Sequence, residues 1–161
     1  MWPDRCARSR PPSSGPPLVE IGASEETIAA GYLHDVVAIT TLTLNQIEAR
    51  FGAHVAALVG GASGARRYTG EMSGAQQAAL ELERLAMESA EVQTLALAHD
   101  LANLRNPQWL LQAVRAGSLG EVAARLDRLV LADARLQRHV RDALDVWRAI
   151  PWAFVPGRGS E

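Results

Sequence analysis

The stretch that decides the fold is Glu25-Glu26-Thr27-Ile28-Ala29-Ala30-Gly31-Tyr32-Leu33-His34-Asp35-Val36-Val37. Ser24 precedes it as an N-cap, and Glu25 and Glu26 stand at the positive end of the helix dipole. The apolar run delivers an adjacent His34 and Asp35 near its C-terminal end. Imidazole and carboxylate together suit a divalent transition metal. Such an ion can bring the pKa of a bound water close to neutrality. The alternative is a pair satisfied inside the helix packing, since buried polar groups are hydrogen-bonded in either case.

Working outward, the same signals recur. Gly22 reads as a helix stop before Ser24. Thr43-Leu44-Asn45-Gln46 is a capping box, opening a short helix with Leu44, Ile47 and Phe51 on one face and Gly52 closing it. Val55, Leu58 and Val59 mark a further short helix, and Gly60 to Gly74 a loop holding Arg66, Arg67 and Tyr68. Ser73 caps a helix of about residues 75–89 with Leu82 and Leu85 inward. Glu91 to Leu104 is the next, with Leu97, Leu101 and Leu104 at spacings of four and three. Asn106-Pro107 is an N-cap followed by proline at the first helical position. Ser118 and Glu121 form another capping box before one long helix to about Ile150, where Pro151 stops it. Its apolar positions, Val122, Leu126, Leu129, Val130, Leu136, Val140 and Leu144, read as core. No strand alternation stands out, so the chain is expected to be all-α with about six helices.

The 161 residues fit one domain, with 48% apolar and 21% charged residues. Residues 1–17, rich in Arg, Pro and Ser, read as a disordered leader; 18–155 form the helical domain; 156–161 are a polar tail. A net charge of −2 gives no general pull towards nucleic acid. All 16 basic residues are Arg, which excludes a lysine Schiff base or phosphate clamp. Cys6 is the single cysteine, which excludes an internal disulfide and fits a reducing cytoplasm. No apolar run approaches the ~20 residues of a membrane span, so no membrane partner is expected. His54 reads as a surface residue and His139, between Arg138 and Arg141, as solvated. Trp147, Trp152 and Phe154 cluster near the C-terminus, where they either cover the core or form an interface for a homo-oligomer.

Three stretches carry a family resemblance: Glu25 to Val37; Thr43-Leu44 through Ile47, Phe51-Gly52, Val55 and Leu58-Val59; and Ser89-Ala90-Glu91-Val92-Gln93-Thr94-Leu95-Ala96-Leu97-Ala98-His99-Asp100-Leu101-Ala102-Asn103. In order and spacing they resemble the HD-domain hydrolases of the RelA/SpoT type, in the small single-domain form. The resemblance implies an HD-type helical bundle that removes the 3′-pyrophosphate of guanosine tetra- and pentaphosphate with a bound manganese-type ion. It implies His34 and Asp35 as ligands, with the later ligand, an Asp in the family, falling at His99. His99 is either that ligand, altered, or a helix histidine bonded to a neighbouring carboxylate. Asn103 and Arg105 match the family's Asn and Arg near the nucleotide.

The departures are specific. The family's first His falls at Arg10, which cannot ligate. The two acids after His-Asp-Val-Val are Ala38 and Ile39 here, and neither can move a proton. Gly60-Gly61-Ala62-Ser63-Gly64 replaces the substrate-facing Asp-Gly-Val-Thr-Lys. These departures imply a degenerate phosphohydrolase with weakened or lost activity. The rival expectation is a non-catalytic HD-fold domain that binds a nucleotide or another protein.

Overall fold

The computed structural model describes residues 15–34, 37, 40–63, 73–106 and 118–149. Among these the chain forms eight helices and no strand. They are α1 (Gly15–Glu20), α2 (Glu25–Leu33), α3 (Leu44–Phe51), α4 (Ala53–Ala62), α5 (Gly74–Ala86), α6 (Ala90–Leu104), α7 (Ser118–Arg128) and α8 (Ala134–Arg148). Local chemistry sets most of the boundaries. Ser24, Thr43, Ser73 and Ser89 each accept a hydrogen bond from the third backbone N–H of the helix they open. Gln46 and Gln76 complete reciprocal capping boxes. Gly22 takes a left-handed φ of 64°, and the N–H groups of Gly22 and Ala23 turn back to the Val19 and Leu18 carbonyls.

Helix α6 organises the bundle. Eleven of its fifteen residues are buried, and it packs against α1, α2, α4, α5, α7 and α8. A helix apolar on most of its circumference belongs at the centre of a bundle. Leu95, Leu97, Leu101 and Leu104 join Leu18, Ile47, Val59, Leu129, Leu136 and Val140 in one continuous core. The Trp147 ring packs against that core and its indole N–H donates to the Leu104 carbonyl at 3.1 Å, so this member of the aromatic cluster covers core. No helix among the described residues is long and apolar enough to cross a membrane.

The structure corrects several expectations. The region read as one helix from Ser118 is two, α7 and α8, so the bundle has more helices than six. The break is built by side chains from elsewhere. The Asp133 carboxylate accepts from the Arg135 and Leu136 N–H groups, and the buried Gln93 amide accepts from the Leu131 N–H. Gln137 donates back to the Ala132 carbonyl. Val130, expected in the core, lies on this turn and is 72% exposed. Phe51 is also exposed, its helix being short enough that Ile47 alone is fully buried. Helix α1 begins at Gly15, so Gly15, Pro16 and Pro17 of the expected leader are helical, and Gly15 and Pro17 are buried. His139, expected to be solvated, has its Nδ1 buried with no hydrogen-bond partner. The expectations for Arg10, Arg66, Arg67, Pro107, Trp152 and Phe154 lie outside the described residues.

Candidate metal and nucleotide site

His34 follows the last turn of α2, its N–H bonded to the Ala30 carbonyl as the helix C-cap. His99 lies in the third turn of α6. Packing of α2 on α6 brings the two rings together: His34 Nε2 is 2.9 Å from His99 Nδ1, and the rings cross at 84°. His34 Nδ1 lies 3.0 Å from the Gly31 carbonyl oxygen. A carbonyl only accepts, so Nδ1 carries a proton, and in the neutral ring Nε2 accepts from His99 Nδ1. A backbone carbonyl on the far nitrogen is the usual means of fixing a metal-binding histidine. The next support comes from α4, where the Ser63 hydroxyl donates to the His34 carbonyl at 2.8 Å. Sequence reasoning missed Ser63, because the contact spans 29 residues and nothing local announces it.

The carboxylate beside His99 does other work. Asp100 is 2% exposed and receives two hydrogen bonds from Arg125 of α7, at 2.7 and 2.8 Å. Burial opposes the charge on Arg125, but the charge and hydrogen bonds of Asp100 outweigh it and raise the Arg125 pKa above its ordinary value. The pair ties α6 to α7, and His99 is bonded to His34 instead of a carboxylate.

Asn103 lies one turn beyond His99 on the same face of α6. It is 4% exposed, and its side-chain carbonyl oxygen is buried without a donor. Arg105 caps α6 and is more exposed, with its guanidinium donating to both Glu20 oxygens at 2.7 and 2.9 Å. That hydrogen bond holds the Glu20 carboxyl below the ordinary range, burial opposes it, and the charges of Arg105 and His139 add to it. The structure therefore brings His34 and His99 into contact and sets Asn103 one turn away. Asp35, Ala38 and Ile39 lie outside the described residues. Among the described residues no three His, Cys, Asp or Glu side chains gather as a metal site. An open cleft of about 350 Å³ lies elsewhere, beside the first turns of α2, α6 and α8, lined by Ser24, Thr27, Glu91, Thr94, Asp133 and Arg135 among others.

Comparison with known proteins agrees with this architecture. The HD domain family matches residues 15–118, most of the chain. The chain belongs to the HD domain family. Two solved structures are similar to this HD domain. One is a protein described as a metazoan SpoT orthologue that hydrolyses ppGpp, with a TM-score of 0.68 over 86% of this chain and 80% of that one, at 21% identity. The other, from Listeria monocytogenes EGD-e, gives a TM-score of 0.67 over 86% and 93% of the two chains, again at 21% identity. A curated relative from Synechocystis (strain PCC 6803), described as a probable guanosine-3′,5′-bis(diphosphate) 3′-pyrophosphohydrolase, is 52% identical over 44 residues. That match covers 27% of this HD-domain chain and 6% of the relative's length.

Proposed function

We propose that this HD domain is a metal-dependent phosphohydrolase of the guanosine polyphosphate 3′-pyrophosphohydrolase type whose catalytic rate is strongly reduced. The observation that carries the reading is the His34–His99 contact, with the tautomer of His34 fixed by the Gly31 carbonyl. His34 Nε2 and His99 Nδ1 would hold a divalent ion, and the family resemblance adds Asp35 as a third ligand. Manganese is the ion implied by the family resemblance. When bound, such an ion supplies positive charge next to the reacting phosphate and makes nearby water more acidic. The buried Asn103 oxygen would accept a hydrogen bond from the nucleotide, which would satisfy an acceptor that is costly to leave bare. Arg105 would reach a phosphate by exchanging Glu20 for it, since both are oxyanions that accept from the same fork.

The slow rate follows from Ala38 and Ile39. Loss of positioned acid–base help costs roughly 10²–10⁴-fold. The proposed setting is the cytoplasm, where a soluble nucleotide would be the substrate. The test is pyrophosphate release from guanosine tetraphosphate by the purified chain, with manganese and with zinc, beside a His34→Ala variant checked for helicity by circular dichroism. Slow release that vanishes in His34→Ala, and rises when Ala38→Glu and Ile39→Asp are combined, is the expected result. A folded wild-type chain that releases nothing with either ion overturns the hydrolase reading in favour of a non-catalytic binding domain.

A further inference from the structure

We infer that the cleft beside the first turns of α2, α6 and α8, with an apolar shelf at its rim, docks a partner protein through a segment that carries a basic side chain among apolar ones. The cleft is separate from the histidine pair: Glu91 precedes His99 by about two turns of α6, roughly 12 Å along the axis. The shelf comes from two turns held by one buried amide. Gln93 donates to the Ala86 and Glu88 carbonyls at 3.2 and 3.1 Å and accepts from the Leu131 N–H at 3.0 Å. Gln137 donates to the carbonyls of Leu129, Val130 and Ala132. Backbone fixed in this way presents Met87, Val130 and Leu131 at 87%, 72% and 57% exposure. Apolar residues scattered singly over a surface are ordinary, but these three are gathered, and Leu131 is also a wall of the cleft. The shelf is preorganised, so little conformational freedom is lost when a partner covers it.

The cleft itself asks for a donor. Its hydroxyl protons are committed inside the protein. Thr27 donates to Glu91 Oε1 at 3.1 Å, so Ser24, 2.8 Å from the Thr27 hydroxyl, donates to it. Thr94 donates to the Ala90 carbonyl at 2.7 Å and accepts from the Asp133 N–H. Arg135 donates to both Asp133 oxygens. What the walls offer a ligand is chiefly lone pairs, those of Glu91 above all. That carboxylate also meets His54 Nε2 at 3.2 Å, and its side chain is still 44% exposed.

Charge sets the sign of the partner. Helix N-termini favour anions, each with roughly half a positive charge, so three of them bring about +1.5. The caps and first turns of the same helices hold Glu25, Glu26, Glu91 and Asp133 against Arg135, a formal −3. The carboxylates outweigh the dipoles, and the face is acidic. It repels nucleic acid and complements lysine or arginine. Ile21, Ala23 and Ala90 line the cleft beside the place where the aliphatic stem of such a side chain would lie. A small amine would fill the cleft alone, whereas Met87 and Val130 stand outside its lining. A polypeptide segment covers both, its cation at Glu91 and its apolar residues on the shelf.

The experiment titrates the full chain into two labelled peptides of equal length, one alternating Leu and Arg, the other Leu and Glu, and reads fluorescence anisotropy. The Leu–Arg peptide is expected to bind and the Leu–Glu peptide is not. Met87→Gln with Val130→Asn should weaken binding about tenfold, and both positions are exposed enough to keep the fold. Glu91→Gln, which can still accept from Thr27, should weaken it about threefold to tenfold. Arg135→Ala should tighten it about threefold, a gain that loss of structure cannot produce. Asp145→Asn, in the last turn of α8, should change nothing. A Leu–Arg peptide that fails to bind, binds no better than the Leu–Glu peptide, or ignores the Met87, Val130 and Glu91 variants overturns the inference. Self-association in sedimentation that Met87→Gln with Val130→Asn abolishes would assign the shelf to a second copy of the chain and overturns it as well. The pyrophosphate assay judges the hydrolase reading separately from all of these outcomes.

Discussion

Asp100 and His99 are neighbours in sequence that point to different tasks. Successive residues on a helix diverge by ~100°, which sends Asp100 to Arg125 and His99 to His34. The Asp100 carboxylate is buried, while the Arg125 side chain is about a quarter exposed. Removing one member of such a pair strands the other charge, at about 3 kcal/mol. Arg125→Ala should therefore lower the urea midpoint well beyond the effect of a surface truncation. Arg125→Ala with Asp100→Leu should recover much of the loss, since no charge is then stranded. A single variant as stable as the wild type would show that the pair contributes nothing. The sequence placed a carboxylate beside His99, but its partner sits 25 positions away on α7, in a helix whose mixed charges all read as solvated. The same limit hid the orphaned Nδ1 of His139 and the Ser63 bond to His34.

At the scale of elements, α4 meets α6 through glycine. A Cβ built on Gly61 would lie 2.8 Å from Val92 Cγ2 and 3.2 Å from its Cγ1. Alanine would improve helix propensity by about 1 kcal/mol. Val92 is buried and cannot swing away, and overpacking of this kind costs roughly 1–3 kcal/mol. The clash wins, so Gly61→Ala should destabilise the protein on balance, read as a lower thermal midpoint. Val92→Ala added to it should restore most of the loss, and a stabilised Gly61→Ala would show that the contact is looser than the distance says. Elements of this kind were legible wherever their signal is local. The caps Ser24, Thr43 and Ser73 and the stop Gly22 sit where their residue types placed them, whereas Ser89, read as the end of the preceding helix, caps α6. The α7–α8 break was not legible, because Gln93 stabilises it from across the bundle while the apolar spacing runs on through Leu129 and Val130.

For the whole molecule, α6 packs against six of the other helices, and two carboxylates add to the fold at neutral pH. Glu20 ties α1 to the end of α6, its pKa lowered from 4.5 chiefly by the Arg105 hydrogen bond. Asp133 opens α8, its pKa lowered from 3.8 chiefly by the Arg135 side chain, with backbone N–H groups adding to it. A carboxylate with a depressed folded pKa stabilises above its unfolded pKa, and the gain disappears as pH falls through the folded value. The loss from Glu20 thus begins near pH 4.5 and that from Asp133 near 3.8, each continuing below. Glu20 is nearly half exposed, so solvent limits its share to under about 1 kcal/mol. Asp133 as an N-cap contributes about 1 kcal/mol. Together they are a sizeable fraction of a stability of roughly 5–15 kcal/mol. Urea midpoints measured from pH 7 to pH 3 should fall below about pH 4.5, and Glu20→Gln with Asp133→Asn should flatten part of that fall while starting lower at pH 7. Equal slopes in the wild type and the double variant would place the acid-sensitive contacts elsewhere, and α1 would then be held to α6 by Leu18 and its apolar neighbours alone.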